Sequence, residues 1–396
     1  MGVTFGVTSN GYIKQWQGNI IPNVLSGVLI AFALLPGAIA FSFIAGVSPT
    51  IGMLSTGLMM IVISFTGNRN LMVSAPSSGV SLVVAPLMAS QGMQAVILAT
   101  IIMGLIQIIF GYCHTNKLLD YIPTGVVIGF MNALGVLLFS SQLDNIFQIS
   151  NATYVLVLIS FLIIWLSQRY IKFIPAPLVS IIVLTFATWL IKPDILYVHN
   201  LASIHVRFPN ITLPKMMYDL ENIFIIFMYG LTMAIVAVVQ TTLTARMMDV
   251  VTDTTSNKNK ESIGQGIANF IVGLFGGYGG SALVGQSKFN LSMGATSRVS
   301  TLITGSFLIF SLFVFASFIG QIPMAVLATV LITISLNTFD RRTVSFVKKA
   351  PIFNGGIVIL TMAIILITNN LAAGVVIVTI GYYLILRLKN KKGRDI

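Results

Sequence analysis

Val73-Ser74-Ala75-Pro76-Ser77-Ser78-Gly79 breaks an apolar run early in the chain, and Gly276-Gly277-Tyr278-Gly279-Gly280-Ser281-Ala282-Leu283-Val284-Gly285-Gln286-Ser287 breaks another in its second half. Each lies at a similar distance into its own half of the sequence. Backbone surrounded by lipid must satisfy its own hydrogen bonds. A helix interrupted at membrane depth therefore persists only where it is buried in protein or lines a cavity. Two matched interruptions point to a transporter's substrate site. The free N–H groups and positive dipole end of a half-helix N-terminus suit an anion.

The surrounding composition supports the membrane reading. The 396 residues are 56% hydrophobic and 8% charged, with mean hydropathy +0.95, against about 25% charged in soluble proteins. Apolar runs long enough to span a bilayer recur throughout, and no separate soluble domain is visible. Cys113 is the single cysteine, so no disulfide forms within the chain. Residues 1–19 lack the basic and short apolar regions of a cleavable signal peptide, so the first span is expected to be retained. The formal charge of +12 does not indicate nucleic acid here. Lys and Arg collect in loops on the cytoplasmic side of membrane proteins.

Apolar runs place spans near 20–44, 50–66, 71–88, 94–112, 122–141, 153–168 and 174–191, then near 222–247, 262–275, 279–292, 299–319, 322–338, 352–368 and 370–387. The third and tenth are short and broken. With both termini in the cytoplasm, only Lys192, Arg207 and Lys215 of the 22 Lys and Arg residues fall outside, all in one loop. Lys288 lies within the tenth segment, and the remaining basic residues gather inside. One misplaced span would scramble that asymmetry. The expected architecture is an all-α polytopic membrane protein of about fourteen segments, divided into residues 1–191, an extracellular loop 192–221, and residues 222–396. An odd number of spans per half gives the halves opposite orientation, as an inverted repeat requires. Asn369 and Asn370 read as an outer turn between the last two spans. The protein is expected in the cell membrane, as a homodimer, with the lipid bilayer as its surroundings and no nucleic-acid partner.

The acidic residues, Asp120, Asp144, Asp194, Asp219, Glu221, Asp249, Asp253, Glu261, Asp340 and Asp395, all fall near span ends or in loops. No carboxylate relay or buried cation cage is indicated. His199 and His205 share a loop punctuated by Pro193, Pro209 and Pro214, without Cys or clustered carboxylates, and read as surface residues rather than metal ligands. No catalytic constellation, metal site or organic cofactor is expected.

Several motifs in order resemble the sulfate permease family of anion transporters. Pro36-Gly37-Ala38-Ile39-Ala40-Phe41 with Ala45-Gly46-Val47-Ser48-Pro49 is similar to its first-span signature. Tyr121-Ile122-Pro123-Thr124-Gly125-Val126-Val127-Ile128-Gly129-Phe130 resembles its fifth-span signature. The strongest match is Asn259-Lys260-Glu261-Ser262-Ile263-Gly264-Gln265-Gly266-Ile267-Ala268-Asn269, leading into Leu274-Phe275-Gly276-Gly277. The resemblance implies two inverted seven-span repeats, with spans 1–4 and 8–11 forming a core domain and spans 5–7 and 12–14 a gate domain. Most members carry a C-terminal STAS domain. Here a short basic tail ends at Ile396, so either the protein naturally lacks that domain or the sequence is a truncated piece, and regulation through it is not assumed. The branch most resembled is that of the cyanobacterial bicarbonate transporters.

Carried over residue by residue, the resemblance implies substrate contacts from Phe41, Ser77, Ser78, Gln240, Leu283, Val284, Gly285 and Gln286. Gln240 and Thr244 stand where an Asp and a Thr help to hold sodium in the bicarbonate branch. Thr244 matches, but a neutral amide at Gln240 weakens sodium coupling. Gln286 stands where many members have Arg, and the missing cation suits a singly charged anion. Each residue also has a plainer role. Ser77 can cap a helix, Phe41 can be a packed aromatic, Gln240 can bridge helices and the Gly-rich stretch can be a packing turn. Gln265 and Asn269 read as helix-packing residues, and Lys288 as a side chain reaching the cytoplasm.

The reading that unites these features is secondary transport of a small inorganic anion, bicarbonate first and sulfate next, by elevator-type alternating access. A nucleobase permease of the same fold is disfavoured by the missing carboxylates in spans eight and ten. An anion channel is the other alternative, distinguished by flux that fails to saturate.

Overall fold

The computed structural model describes residues 9–114, 121–171, 174–201, 211 and 220–392. Lys117, Asp120, Lys172, His205, Arg207, Pro209, Pro214, Lys215, Asp219, Arg394 and Asp395 lie outside the described residues, as does most of the 192–221 connection.

Apolar sequence and bilayer length dictate long helices, and those helices form. A short α1 (Ser9–Lys14) precedes α2 (Ile20–Ala45) and α3 (Pro49–Thr66). A two-residue strand, β1 (Ser74–Ala75), leads into α4 (Ser78–Tyr112). Then come α5 (Thr124–Ser140), α6 (Asn151–Tyr170), α7 (Ala176–Ile191) and the short α8 (Val198–Leu201). The second half repeats the plan with α9 (Leu220–Thr252), α10 (Lys258–Leu274), β2 (Ser281–Ala282), α11 (Val284–Ser292) and α12 (Val299–Val314). It closes with α13 (Ala316–Gly320), α14 (Met324–Thr338), α15 (Thr343–Lys349), α16 (Pro351–Thr368) and α17 (Leu371–Lys392).

Among the described residues, 8 helices are long and apolar enough to cross a membrane, and α7, α12 and α17 add shorter apolar ones. Gly92, at φ 76°, folds α4 back on itself and divides it into 78–91 and 93–112. Only glycine adopts that left-handed backbone without strain. With α4 counted as two segments and α10 and α11 included, seven fall before the 192–221 connection and seven after it. The third and tenth are broken, as the sequence indicates: extended chain occupies most of their first halves, and helix begins only at Ser78 and Val284. Asn369, at φ 49°, makes the turn between α16 and α17.

The described part of the 192–201 segment is not a free loop. Val198 N–H bonds to Ile322 O (3.0 Å), Met324 N–H to Leu196 O (2.8 Å), and His199 Nδ1 lies 2.7 Å from Gly320 O. It is stitched to the chain entering α14. The short helices α1, α8, α13 and α15 are not foreshadowed by hydropathy, being too brief for a periodic signal.

Two sets of helices pack separately. In one, α4 lies against α9 and α10, and α12 against α2 and α3. Close approach there rests on small residues: a Cβ added at Gly266 would sit 2.6 Å from Gly104 O. In the other, α5 packs on α14 and α16, and α6 on α7. Between the sets runs an aliphatic and aromatic seam, in which Phe41, Val80, Met233 and Val236 meet Val126, Phe130, Leu134 and Val375.

Polar ties cluster within each set. Asn23 holds Thr296 and Ser26 holds Asn290 in the first, whereas Asn132 holds Thr343 and Ser335 holds Gly135 O in the second. At one end of the first set is a buried ionic cluster. Glu261 Oε2 accepts the backbone N–H groups of Asn68 and Arg69 at 2.6 Å each. Arg298 donates to Ser64 O (2.9 Å) and Gly67 O (2.6 Å), and Arg69 pairs with Asp249 at 3.5 Å. These bonds fix the turn after α3 and aim the chain at β1.

Candidate functional site

The two interrupted stretches cross in the interior. β1 and β2 pair antiparallel, Ser74 opposite Ala282 and Ala75 opposite Ser281. Leu283 N–H extends the pairing to Val73 O at 2.8 Å. A Cβ on Gly280 would lie 2.2 Å from Ala75 O, so the crossing requires glycine there. Two residues per strand cannot satisfy every backbone group, and buried side chains complete the account. Gln265 Oε1 accepts Ser74 Oγ (3.0 Å), and Asn269 Oδ1 accepts Gly280 N–H (2.9 Å). Gln265 and Asn269 are thus more than helix-packing residues: they hold the crossing strands.

From the crossing, α4 starts after Ser77 and α11 after Leu283, both in extended backbone. Neither position supplies a side-chain cap to its helix. The plain expectation for Ser77, capping α4, is therefore corrected. Its hydroxyl is drawn instead into a network, donating to Gln240 Oε1 at 2.8 Å. Ser281 Oγ lies 2.8 Å from Ser77 Oγ and 2.7 Å from the same Gln240 oxygen. α9 comes this close because residue 79 is glycine: a Cβ there would meet Gln240 Nε2 at 2.8 Å. Thr244 Oγ1 reaches Gln240 O (2.8 Å) and Ala282 O (3.3 Å), tying α9 to β2.

A cavity of about 380 Å³ opens in front of the two helix starts. Phe41, Ser77, Ser78, Gln240, Thr244, Leu283, Val284, Gly285 and Gln286 all line it, so every residue given a substrate or coupling-ion role from the sequence reaches one space. Ser78 is nearly buried and Val284 is 40% exposed, on the cavity side. A Cβ on Gly285 would meet nothing within 4 Å. Lys288 is not among the lining residues.

Sequence reasoning missed Ser281, although it lies inside the quoted stretch. It also missed the facing wall, formed by Met131 and Leu134 of α5 and by Ile334, Asn337 and Thr338 of α14. No pattern in one sequence says which residues of a distant helix close a cavity.

None of the lining residues is Asp, Glu, Lys, Arg or His. The polar character of the space comes from two uncapped helix starts, four hydroxyls and three amides. Each helix N-terminus favours an anion by about 0.3–2 kcal/mol, depending on burial. Two together contribute on the order of 1–4 kcal/mol, which corresponds to millimolar or weaker binding. A site of this kind binds a small anion and releases it readily. It offers a cation only neutral oxygens, one of them already shared by two hydroxyls.

Comparison with known proteins agrees with this geometry. The model of the Sulfate permease family matches residues 20–162 and 150–363. The "Putative sulfate transporter YbaR" of Bacillus subtilis (strain 168) is 39% identical over 362 residues, covering 91% of this chain and 76% of its own. Two solved structures share the fold. The transmembrane domain of a cyanobacterium bicarbonate transporter BicA superposes with TM-score 0.79 at 23% identity, covering 90% of this chain and 97% of the other. The murine Solute Carrier 26 family member A9 anion transporter in the inward-facing state gives 0.82 at 16% identity, covering 98% and 73%.

Proposed function

This chain belongs to the sulfate permease family, and on that premise we propose that it carries a small oxyanion, bicarbonate first and sulfate next, by elevator-type alternating access. The observation that carries the proposal is the uncharged cavity between the starts of α4 and α11. Helix dipoles and N–H groups there favour negative charge without a fixed cation. A doubly charged anion gains from an arginine at such a site, and Gln286 supplies none. This ranks bicarbonate ahead of sulfate, although the relative at 39% identity is named a putative sulfate transporter.

The elevator reading rests on the seam. α2–α4 with α9–α12 form the core and carry the cavity's polar wall. α5–α7 with α14–α17 form the gate. The polar ties described above stay within one set or the other, and the seam between them is aliphatic and aromatic. An apolar surface of this kind favours sliding. The carboxylates that a nucleobase permease places at the base are missing from the cavity wall, which disfavours that alternative. Both termini lie in the cytoplasm of a cell-membrane protein on this reading, because the basic residues gather at that end. Sodium coupling is weakened on this reading, since Gln240 brings no charge. Assembly as a homodimer belongs to the same reading and is checked by subunit counting in single bilayer patches.

The test is uptake by proteoliposomes of labelled bicarbonate, sulfate and uracil, with and without sodium. Saturable, sodium-independent uptake of one of the two anions is expected. Uptake of uracil alone, or anion flux that fails to saturate, contradicts the proposal.

A further inference from the structure

The central cavity has no charged wall, but the passage beside it does. A second cavity, of about 220 Å³, meets the first at Leu243, which lines both. Thr124 and Val127 of α5 form one side, and Thr242, Leu243 and Arg246 of α9 another, with Arg342 completing it. Arg246 lies six residues beyond Gln240 on the same helix, about 9 Å along its axis at 1.5 Å per residue. Arg342 stands just beyond α14, four residues after Thr338 on the central cavity's wall. One guanidinium thus belongs to the core and the other to the gate.

Arg342 is not a bare charge. Its Nη2 and Nε reach Asp340 at 2.7 and 3.0 Å, and its hydrogen bond holds the Asp340 carboxyl below the usual carboxylate range. The pair leaves the Arg342 side chain 64% exposed, at the passage. Basic residues on a cytoplasmic face are ordinarily explained by topology alone. These two are set apart because they form the wall of a passage that touches the transport cavity, and they approach it from both sides of the seam.

We propose that Arg246 and Arg342 form an anion-capture vestibule at one mouth of the transport cavity, so that anion loading from that face depends on them. This rests on the transport reading above and adds a sidedness to it. Among the described residues, two guanidiniums against the one Asp340 carboxylate leave the mouth net positive, which raises the local concentration of anions and their rate of entry. Salt screens that effect over about 8–10 Å. The uncharged inner site then accepts the anion without holding it. When the core moves, Arg246 travels with it and Arg342 stays with the gate, so the vestibule exists only when the cavity faces this end.

The experiment measures half-saturation from each face of proteoliposomes with the anion that the wild type transports, at low and high ionic strength. Orientation is scored by labelling the exposed Cys113 with an impermeant maleimide. In the wild type, half-saturation at the arginine face rises with salt. Arg246→Gln combined with Arg342→Gln raises it roughly three- to tenfold at low salt and flattens the salt dependence. The opposite face stays within about twofold. Arg246→Lys with Arg342→Lys restores the wild-type pattern. Should the double Gln variant fail to reconstitute, each single substitution carries the test, with an expected rise of about twofold. An unchanged arginine-face value, or equal changes at both faces, overturns the vestibule while leaving the transport reading intact. A wild type that carries neither bicarbonate nor sulfate overturns the transport reading itself, and the vestibule with it.

Discussion

Gln240 is the side chain at which α9 meets both interrupted stretches. Its Oε1 accepts Ser77 and Ser281 together, which fixes the amide and ties α9 to both interrupted stretches. Removing the Ser77 hydroxyl loses a buried hydrogen bond of about 0.5–1.5 kcal/mol and leaves the amide oxygen with one partner fewer. Ser77→Ala is therefore expected to lower transport efficiency up to about tenfold in proteoliposome uptake, with melting temperature little changed. Gln240→Glu keeps the shape and both acceptors but sets a negative charge beside the anion. Uptake at neutral pH is expected to fall at least about tenfold and to recover on adding sodium or lowering pH; unchanged uptake would remove Gln240 from the site. No lining residue titrates near neutral pH, so transport of sulfate should be flat between about pH 6 and pH 8, and a steep step there would reveal a titrating group coupled to transport. At this scale the sequence was partly legible. Ser77 and Gln240 stood out as polar residues in apolar runs. Ser281 hid among glycines, and Asn337 and Thr338 at a span end looked like ordinary loop-edge residues.

The crossing of β1 and β2 is the element that turns two apolar segments into a site. Four strand residues suffice because Gln265 and Asn269 hold the edges and Gly280 lets the chains touch. Gly280→Ala places a carbon 2.2 Å from Ala75 O, a backbone atom that cannot swing aside. A loss of more than about 2 kcal/mol is expected, read as a fall in melting temperature in detergent together with lost transport. Gly285→Ala faces open space and is expected to leave the melting temperature unchanged, so the two glycines separate the scaffold from the cavity. The breaks themselves were legible, since Pro, Ser and Gly inside apolar runs have few other uses in lipid. Their antiparallel pairing was not, because two-residue strands leave no alternation to read. Nor was the reach of Glu261, which sits at a helix start in the sequence yet is 1% exposed in the fold. Its position inside the motif at 259–269 was the available hint.

Across the whole molecule, span count, charge asymmetry and matched breaks were enough to anticipate two seven-segment halves. The division into two packed sets was implied by the family resemblance and is not written in any one segment. It emerges from which helices share polar ties and which meet only through apolar side chains. On the proposed topology, with both termini cytoplasmic, Cys113 at the end of α4 faces the same side. An impermeant maleimide is expected to label it in inverted vesicles and to spare it in intact cells; the reverse pattern would invert the topology. The most direct test of the central claim, that the transported anion rests between the starts of α4 and α11, is substrate protection of Gly285→Cys in a Cys113→Ala background. The site is open enough to take the thiol. The transported anion is expected to slow its reaction with a small thiol reagent in proportion to occupancy, while an anion that is not transported has no effect. Modification at the same rate with and without a saturating, transported anion would contradict the account.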